Sequence, residues 1–182
     1  MHVRCITIRQ PWATLIAIGE KRLETRGWKT NYRGELAIHA GKRVDRAACL
    51  AEPVRSLLAA SGYSAANLPT GAVVAVGRLA GCYPVMANDG ETAVLDVGEG
   101  GGLGAGGGSG NVGELGKAGQ GGKERGAGGE GGDRALVVAG QEYRFGDFAL
   151  GRYGWELAEV RKLPEPVPAA GKQGLWNWEA RW

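Results

Sequence analysis

Histidine and cysteine are scarce in this chain, and neither is spaced to hold a metal. The two histidines, His2 and His39, lie far apart, so no His-based ligand set is offered. Cys5, Cys49 and Cys82 are odd in number and contain no Cys-x-x-Cys pair, which argues against both a zinc site and a disulfide framework. Reduced, buried thiols fit a cytoplasmic protein. No run approaches the ~18 consecutive apolar residues of a membrane span, and the first residues read as a strand instead of a signal peptide. No large charge imbalance exists either: 22 Lys+Arg stand against 19 Asp+Glu, a formal charge of +3. That balance permits a polyanionic partner without requiring one. At 182 residues the chain can bury one real core, and two comfortable domains would need more length.

Glycine is the exception to this scarcity. Residues 98–132 hold 19 of the chain's 34 glycines and no aromatic residue. Such a stretch cannot bury enough apolar surface to offset the cost of ordering its backbone, so it is expected to be a flexible insertion. An insertion of this length is tolerable because loop-closure entropy grows only logarithmically. Its Gly-x-Gly repeats lack the preceding strand and following helix that a phosphate-cradling loop requires.

The remaining chain alternates strand-like and helix-like stretches. Residues 3–9 read as an opening strand. Pro11 suits a first helical turn, Leu15, Ile16 and Ile18 supply an apolar face, and Gly19 closes the helix. Residues 22–28 and 35–40 read as strands joined by a polar turn. Apolar residues recur at helical spacing from Lys42 to Ala60, with Pro53 expected to kink or split that helix. A buried strand is expected over 71–79, ended by Tyr83-Pro84, with a connection over 85–97. Beyond the insertion come a short strand at 135–139, an aromatic turn at 143–148, a long strand over 153–163 and an extended, proline-rich connector over 164–171. Leu175, Trp176 and Trp178 are expected to close or cap the sheet.

Chemistry concentrates just after the first helix. Lys21, Glu24 and Arg26 fall within six residues, flanked by Trp12 and Trp28. On a strand, Glu24 and Arg26 share a face, and Lys21 joins them only if the chain turns at Arg22. A partly enclosed Lys beside a carboxylate either serves proton transfer or fixes the carboxylate as an ordinary ion pair. Trp12 and Trp28 offer faces on which a base can stack, although large aromatics are usually buried. Tyr32 and Arg33 are candidates for the same cleft. His39, in an apolar strand, reads as a wall residue.

Ile6-Thr7-Ile8-Arg9-Gln10-Pro11-Trp12, then Gly19-x-Lys21-x-x-Glu24-x-Arg26, Tyr32-Arg33-Gly34 and Leu36 to Lys42, resemble the ASCH domain family, a branch of the PUA-like small β-barrels. Gly151 to Leu157 and Gly171 to Trp176 resemble the end of the same family. The resemblance implies an α+β fold: a small PUA-like β-barrel with flanking helices, formed by residues 1–97 and 133–182 and interrupted by the flexible Gly-rich insertion 98–132. It further implies RNA or a nucleoside or nucleotide as ligand, in a cleft formed by Trp12, Lys21, Glu24, Arg26, Trp28, Tyr32 and Arg33. Lys21 and Arg26 would meet phosphate or a carbonyl, and Glu24 would accept from a base edge or orient Lys21.

Some members of that family are amidohydrolases acting on acetylcytidine, with a Lys, a Thr three residues later and a distant Glu. Here the Lys matches Lys21, but Glu24 occupies the Thr position and Thr25 follows one place on. A hydrolase, either an acetylcytidine amidohydrolase or a ribonuclease, with Lys21, Glu24 and Thr25 as catalytic groups is therefore the alternative to a binder. A protein-interaction adaptor using the proline-rich stretch 164–168 is a third reading. No metal, cofactor or membrane is implied, and nothing in the sequence specifies an oligomeric state.

Overall fold

The computed structural model describes residues 2–98 and 134–180. The expected Gly-rich insertion therefore lies, Gly98 apart, outside the described residues. In chain order the elements are β1 (His2–Gln10), α1 (Trp12–Ala17), β2 (Leu23–Arg26), β3 (Gly34–Val44), α2 (Arg46–Leu50), α3 (Val54–Ala60), β4 (Ala72–Asn88), β5 (Ala93–Asp96), β6 (Ala135–Val138), α4 (Gly140–Arg144), β7 (Tyr153–Pro168) and β8 (Leu175–Glu179). Strands dominate and the helices are short, which is consistent with a PUA-like fold.

The main sheet runs β2-β7-β4-β3-β1-β8, with β5 and β6 continuing from the far end of β4. β1 and β3 are parallel; the other pairs are antiparallel. The first and last strands do meet, with Val3 opposite Trp178 and Cys5 opposite Trp176. The sheet nevertheless does not close into the expected barrel, because its two ends, β2 and β8, have no pairing between them.

Local sequence explains the helix that packs inside the curve. Gln10 is fully buried and acts as a clasp for α1. Its side-chain oxygen accepts from Thr14 N at 3.0 Å, while Nε2 donates to Thr14 Oγ1 at 2.8 Å and to Pro69 O at 2.6 Å. These bonds satisfy a helix start that has no Ser, Thr, Asp or Asn cap. Gly19, at φ +87°, ends the turn in a conformation that L side chains avoid. Ala13, Ile16 and Ala17 then pack against Ile6, Ile8, Leu36, Ile38, Leu79 and Trp155 in the main core.

Three expectations need correction. The helix expected from Lys42 begins only at Arg46, because Lys42 to Val44 continue β3. Asp45 supplies the N-cap by accepting from Ala48 N at 3.0 Å. The helix does split at Pro53, as its missing N–H requires. Next, Tyr83-Pro84 does not end a strand: β4 continues to Asn88, since Pro84 sits opposite Tyr153 and Val85 N donates instead to Arg152 O at 2.9 Å. Finally, Pro164 to Pro168 are not a connector. They extend β7, with Val167 opposite Val73 and Pro168 opposite Ala72. Extended backbone suits both a strand and a proline-rich segment, so composition alone did not separate them.

The end of the sheet at β2 is finished by side chains. Glu142 is buried and accepts from Arg22 N at 3.0 Å and Leu23 N at 2.9 Å. Lys21 Nζ donates to Leu23 O, and Arg152 Nη2 to Thr25 O at 3.4 Å. Lys21 also donates to Phe145 O at 2.8 Å, tying the edge to the turn after α4. Backbone groups that another strand would otherwise satisfy are thus met by a carboxylate and two cations. Gly146 lets this turn lie close: a Cβ there would come within 3.0 Å of Thr25 Cγ2.

Removing the Lys21 ammonium leaves two buried carbonyls without their donor. Lys21→Met is expected to cost about 3 kcal/mol of stability, whereas Lys29→Met at the exposed turn should be near neutral. Urea unfolding of both variants checks this, and a loss below about 1 kcal/mol for Lys21→Met would remove the ammonium from its structural role.

A second expectation concerns Cys5, fully buried in β1. Burial pushes its thiol from 9.0 up to about 12. The folded state then holds a proton that the unfolded chain releases, so stability present below pH 9.0 is lost as pH rises toward about 12. Between roughly pH 8 and 10 the wild type should lose about 1.4 kcal/mol more than Cys5→Ala, measured by urea unfolding at each pH.

Candidate functional site

A pocket of about 600 Å³ opens where β1, β2 and β3 face the turn after α4. The end of β1 contributes Thr7, Ile8 and Arg9; β3 contributes Gly41, Lys42 and Arg43; β2 contributes Glu24, Thr25 and Arg26. Trp12 forms part of the wall together with Phe145, and Arg144, Gly146, Asp147 and Arg152 complete the lining. β2 is four places away from β1 in the strand order. Arg26 crosses between them, its Nη2 donating to Thr7 O at 2.8 Å.

At the floor Arg26 Nη2 also lies 3.1 Å from Glu24 Oε1. The Lys21 ammonium lies 3.8 Å from Glu24 Oε2, too far for a hydrogen bond. Lys21 is fully buried and its pKa is lowered, first by desolvation, against the opposing pull of Glu24 and Glu142. Trp12 and Phe145 make a tilted aromatic pair 5.7 Å apart, with the Lys21 ammonium 6.0 Å from the Trp12 ring.

The rim is basic. Six cations, namely Arg9, Arg26, Lys42, Arg43, Arg144 and Arg152, line the pocket against two carboxylates, Glu24 and Asp147. Arg26 and Arg152 spend donors on the protein itself: Arg152 Nε donates to Asp147 O at 3.0 Å and lies 3.3 Å from Asp147 Oδ2. Arg9 has only a loose pairing with Asp45 at 3.8 Å. The side chains of Lys42, Arg43 and Arg144 have no hydrogen bond or ion pair among the described residues.

Of the residues singled out from the sequence, Trp12, Glu24, Thr25 and Arg26 come together on the pocket. Thr25 joins Glu24 there although the two are adjacent, and its Oγ1 accepts from Asp147 N at 2.9 Å. Lys21 does not line the pocket; it lies beneath, bonded to Leu23 O and Phe145 O. Trp28, Tyr32 and Arg33 lie elsewhere. Trp28 meets Trp155 edge to face at 4.6 Å, and its carbonyl accepts from Trp155 Nε1 at 3.3 Å. Tyr32 donates to Glu35 O at 2.6 Å, and Arg33 binds Thr30 O and Tyr32 O in its own turn. His39 is buried, 3.0 Å from Ala169 O through Nε2 and edge-on to Trp176.

Sequence reasoning missed Glu142, Phe145, Asp147 and the rim cations other than Arg26. Lys42 and Arg152 fell inside the family-like segments Leu36 to Lys42 and Gly151 to Leu157, a signal that could have placed them. Arg144 had no local sign, since the pocket residues from β1, β2 and β3 that it joins lie more than a hundred positions away.

The family profile of the ASCH domain matches residues 6–95, from β1 into β5. Over 40 residues the chain is 52% identical to activating signal cointegrator 1 of Mus musculus, covering 21% of this chain and 7% of that protein. Activating signal cointegrator 1 of Homo sapiens is 50% identical over 36 residues, 20% of this chain and 6% of that protein. The chain therefore spans only a small part of these relatives. The matched stretch takes in most of β1 and all of α1, β2, β3 and β4, and over those residues the chain carries an ASCH domain match.

Proposed function

We propose that the pocket binds single-stranded RNA, holding one nucleotide against the wall that Trp12 and Phe145 form together. The observation that carries this reading is the set of rim cations with no protein partner among the described residues, Lys42 and Arg43 on one side and Arg144 on the other. Cations left without partners around a pocket of nucleotide size favour a ligand that brings its own negative charge. Their placement on two sides of the Arg26 bridge suits phosphates on both sides of the bound nucleotide. Trp12 supplies an aromatic face for the base, an interaction worth about 1–3 kcal/mol.

A hydrolase on the same pocket is the second reading, favoured by Thr25 and Glu24 both facing the cavity above a lysine of lowered pKa. Against it, the Lys21 donors are already engaged with two backbone carbonyls. Incubation with acetylcytidine, followed by mass spectrometry, separates the two: turnover lost in Thr25→Val would favour the hydrolase.

The binding reading is tested by titrating labelled single-stranded RNA across a range of salt. Affinity should fall steeply with salt, and Lys42→Ala with Arg43→Ala should flatten the log–log slope by about 0.7 for each phosphate no longer neutralised. Salt-independent binding, or none at low salt, would remove the reading.

A further inference from the structure

The rim cations account for phosphates, but they leave the carboxylate on the floor unexplained. Two carboxylates reach this pocket, and they differ in how far the protein uses them. Asp147 is spent on its own turn: Oδ1 accepts from Ala149 N at 3.2 Å, and Oδ2 lies 3.3 Å from Arg152 Nε. Its side chain is 64% exposed. Glu24 is only 13% exposed, yet no backbone N–H reaches it among the described residues. One oxygen meets Arg26 at 3.1 Å; the other lies 3.8 Å from Lys21, whose ammonium is directed to Leu23 O and Phe145 O. A carboxylate carries about four lone-pair sites, so Glu24 keeps acceptor capacity on an enclosed floor.

We infer that Glu24 selects the base, favouring bases with an exocyclic amino group, namely cytosine, adenine and guanine, over uracil. This rests on the single-stranded RNA reading of the same pocket. An enclosed acceptor gains from an N–H that it would otherwise lack, and loses when a second acceptor is pressed against it. The three amino-bearing bases each present N–H donors at the end of their pairing edge. Uracil presents one N–H between two carbonyls, so its approach brings at least one carbonyl oxygen against the carboxylate. Lys42, Arg43 and Arg144 contribute charge that is indifferent to the base, so selectivity and affinity reside in different residues.

The test uses a short oligouridine and the same oligomer with a single central cytidine, adenosine or guanosine, titrated against the full chain and Glu24→Gln. Wild type should bind each substituted oligomer at least about fivefold more tightly than the all-uridine one. Glu24→Gln puts an amide donor beside the remaining oxygen and should bring all four within about twofold, with all-uridine binding retained or tightened. Retained all-uridine binding also reports that the variant pocket is folded; if the variant does not fold, the wild-type series decides alone. Equal wild-type affinities for all four, or a preference for uridine, would overturn the selection while leaving RNA binding in place. Absence of salt-sensitive binding to any oligomer would overturn both.

Discussion

A lysine ammonium buried at the edge of a sheet is the constraint on which the rest of this structure depends. Among the described residues, β2 has β7 on one side and no strand on the other. An edge enclosed in protein without partners would leave backbone groups unsatisfied, each at a cost comparable to that of a missing hydrogen bond. Lys21, Glu142 and Arg152 meet those groups with side chains. Closing the barrel would have met the same need by pairing β2 with β8, the other end of the sheet. Because side chains finish the edge, the space beside β2 remains, and among the described residues Arg26 bridges it to β1. The pocket lies there.

This arrangement divides the positive charges into two groups by what their donors touch. Lys21, Arg26 and Arg152 point inward, to carbonyls of Leu23, Phe145, Thr7, Asp147 and Thr25, and hold the pocket's shape. Lys42, Arg43 and Arg144 have no such work among the described residues. The distinction explains why Lys21, the most conspicuous residue of the motif, is not itself at the surface of the cavity. A desolvated ammonium with two carbonyls and a carboxylate nearby is retained for geometry, since its charge is costly to bury otherwise.

The features readable from sequence were those whose causes are local. The α1 helix, its stop at Gly19 and the break at Pro53 follow from backbone limits of single residues. Glu24 and Arg26 share the pocket, as residues two apart on a strand should. Failures arose where tertiary pairing overrode a local pattern. Lys42 to Val44 fit a helical repeat but are held in β3. Pro164 to Pro168 look like a linker but complete a ladder with β4. Trp28, Tyr32 and Arg33 follow the motif closely in sequence, yet their contacts turn to Trp155, Glu35 and Thr30. Proximity along the chain does not fix which side of a curved sheet a turn occupies.

The far wall of the pocket has a different origin. The family match ends at residue 95, but Phe145, Asp147 and Arg152 come from beyond it, and Lys21 reaches across 124 positions to Phe145. Glu24, Arg26 and Trp12 thus belong to the matched stretch, while Phe145, which pairs with Trp12, and the rest of that turn are supplied by a segment outside it. Arg9, Arg26, Lys42 and Arg43 come from the matched stretch as well, whereas Arg144 and Arg152 do not. Likeness confined to the matched stretch therefore does not extend to the wall supplied by Arg144, Phe145, Asp147 and Arg152, and the ligand of one member does not transfer to another on the motif alone.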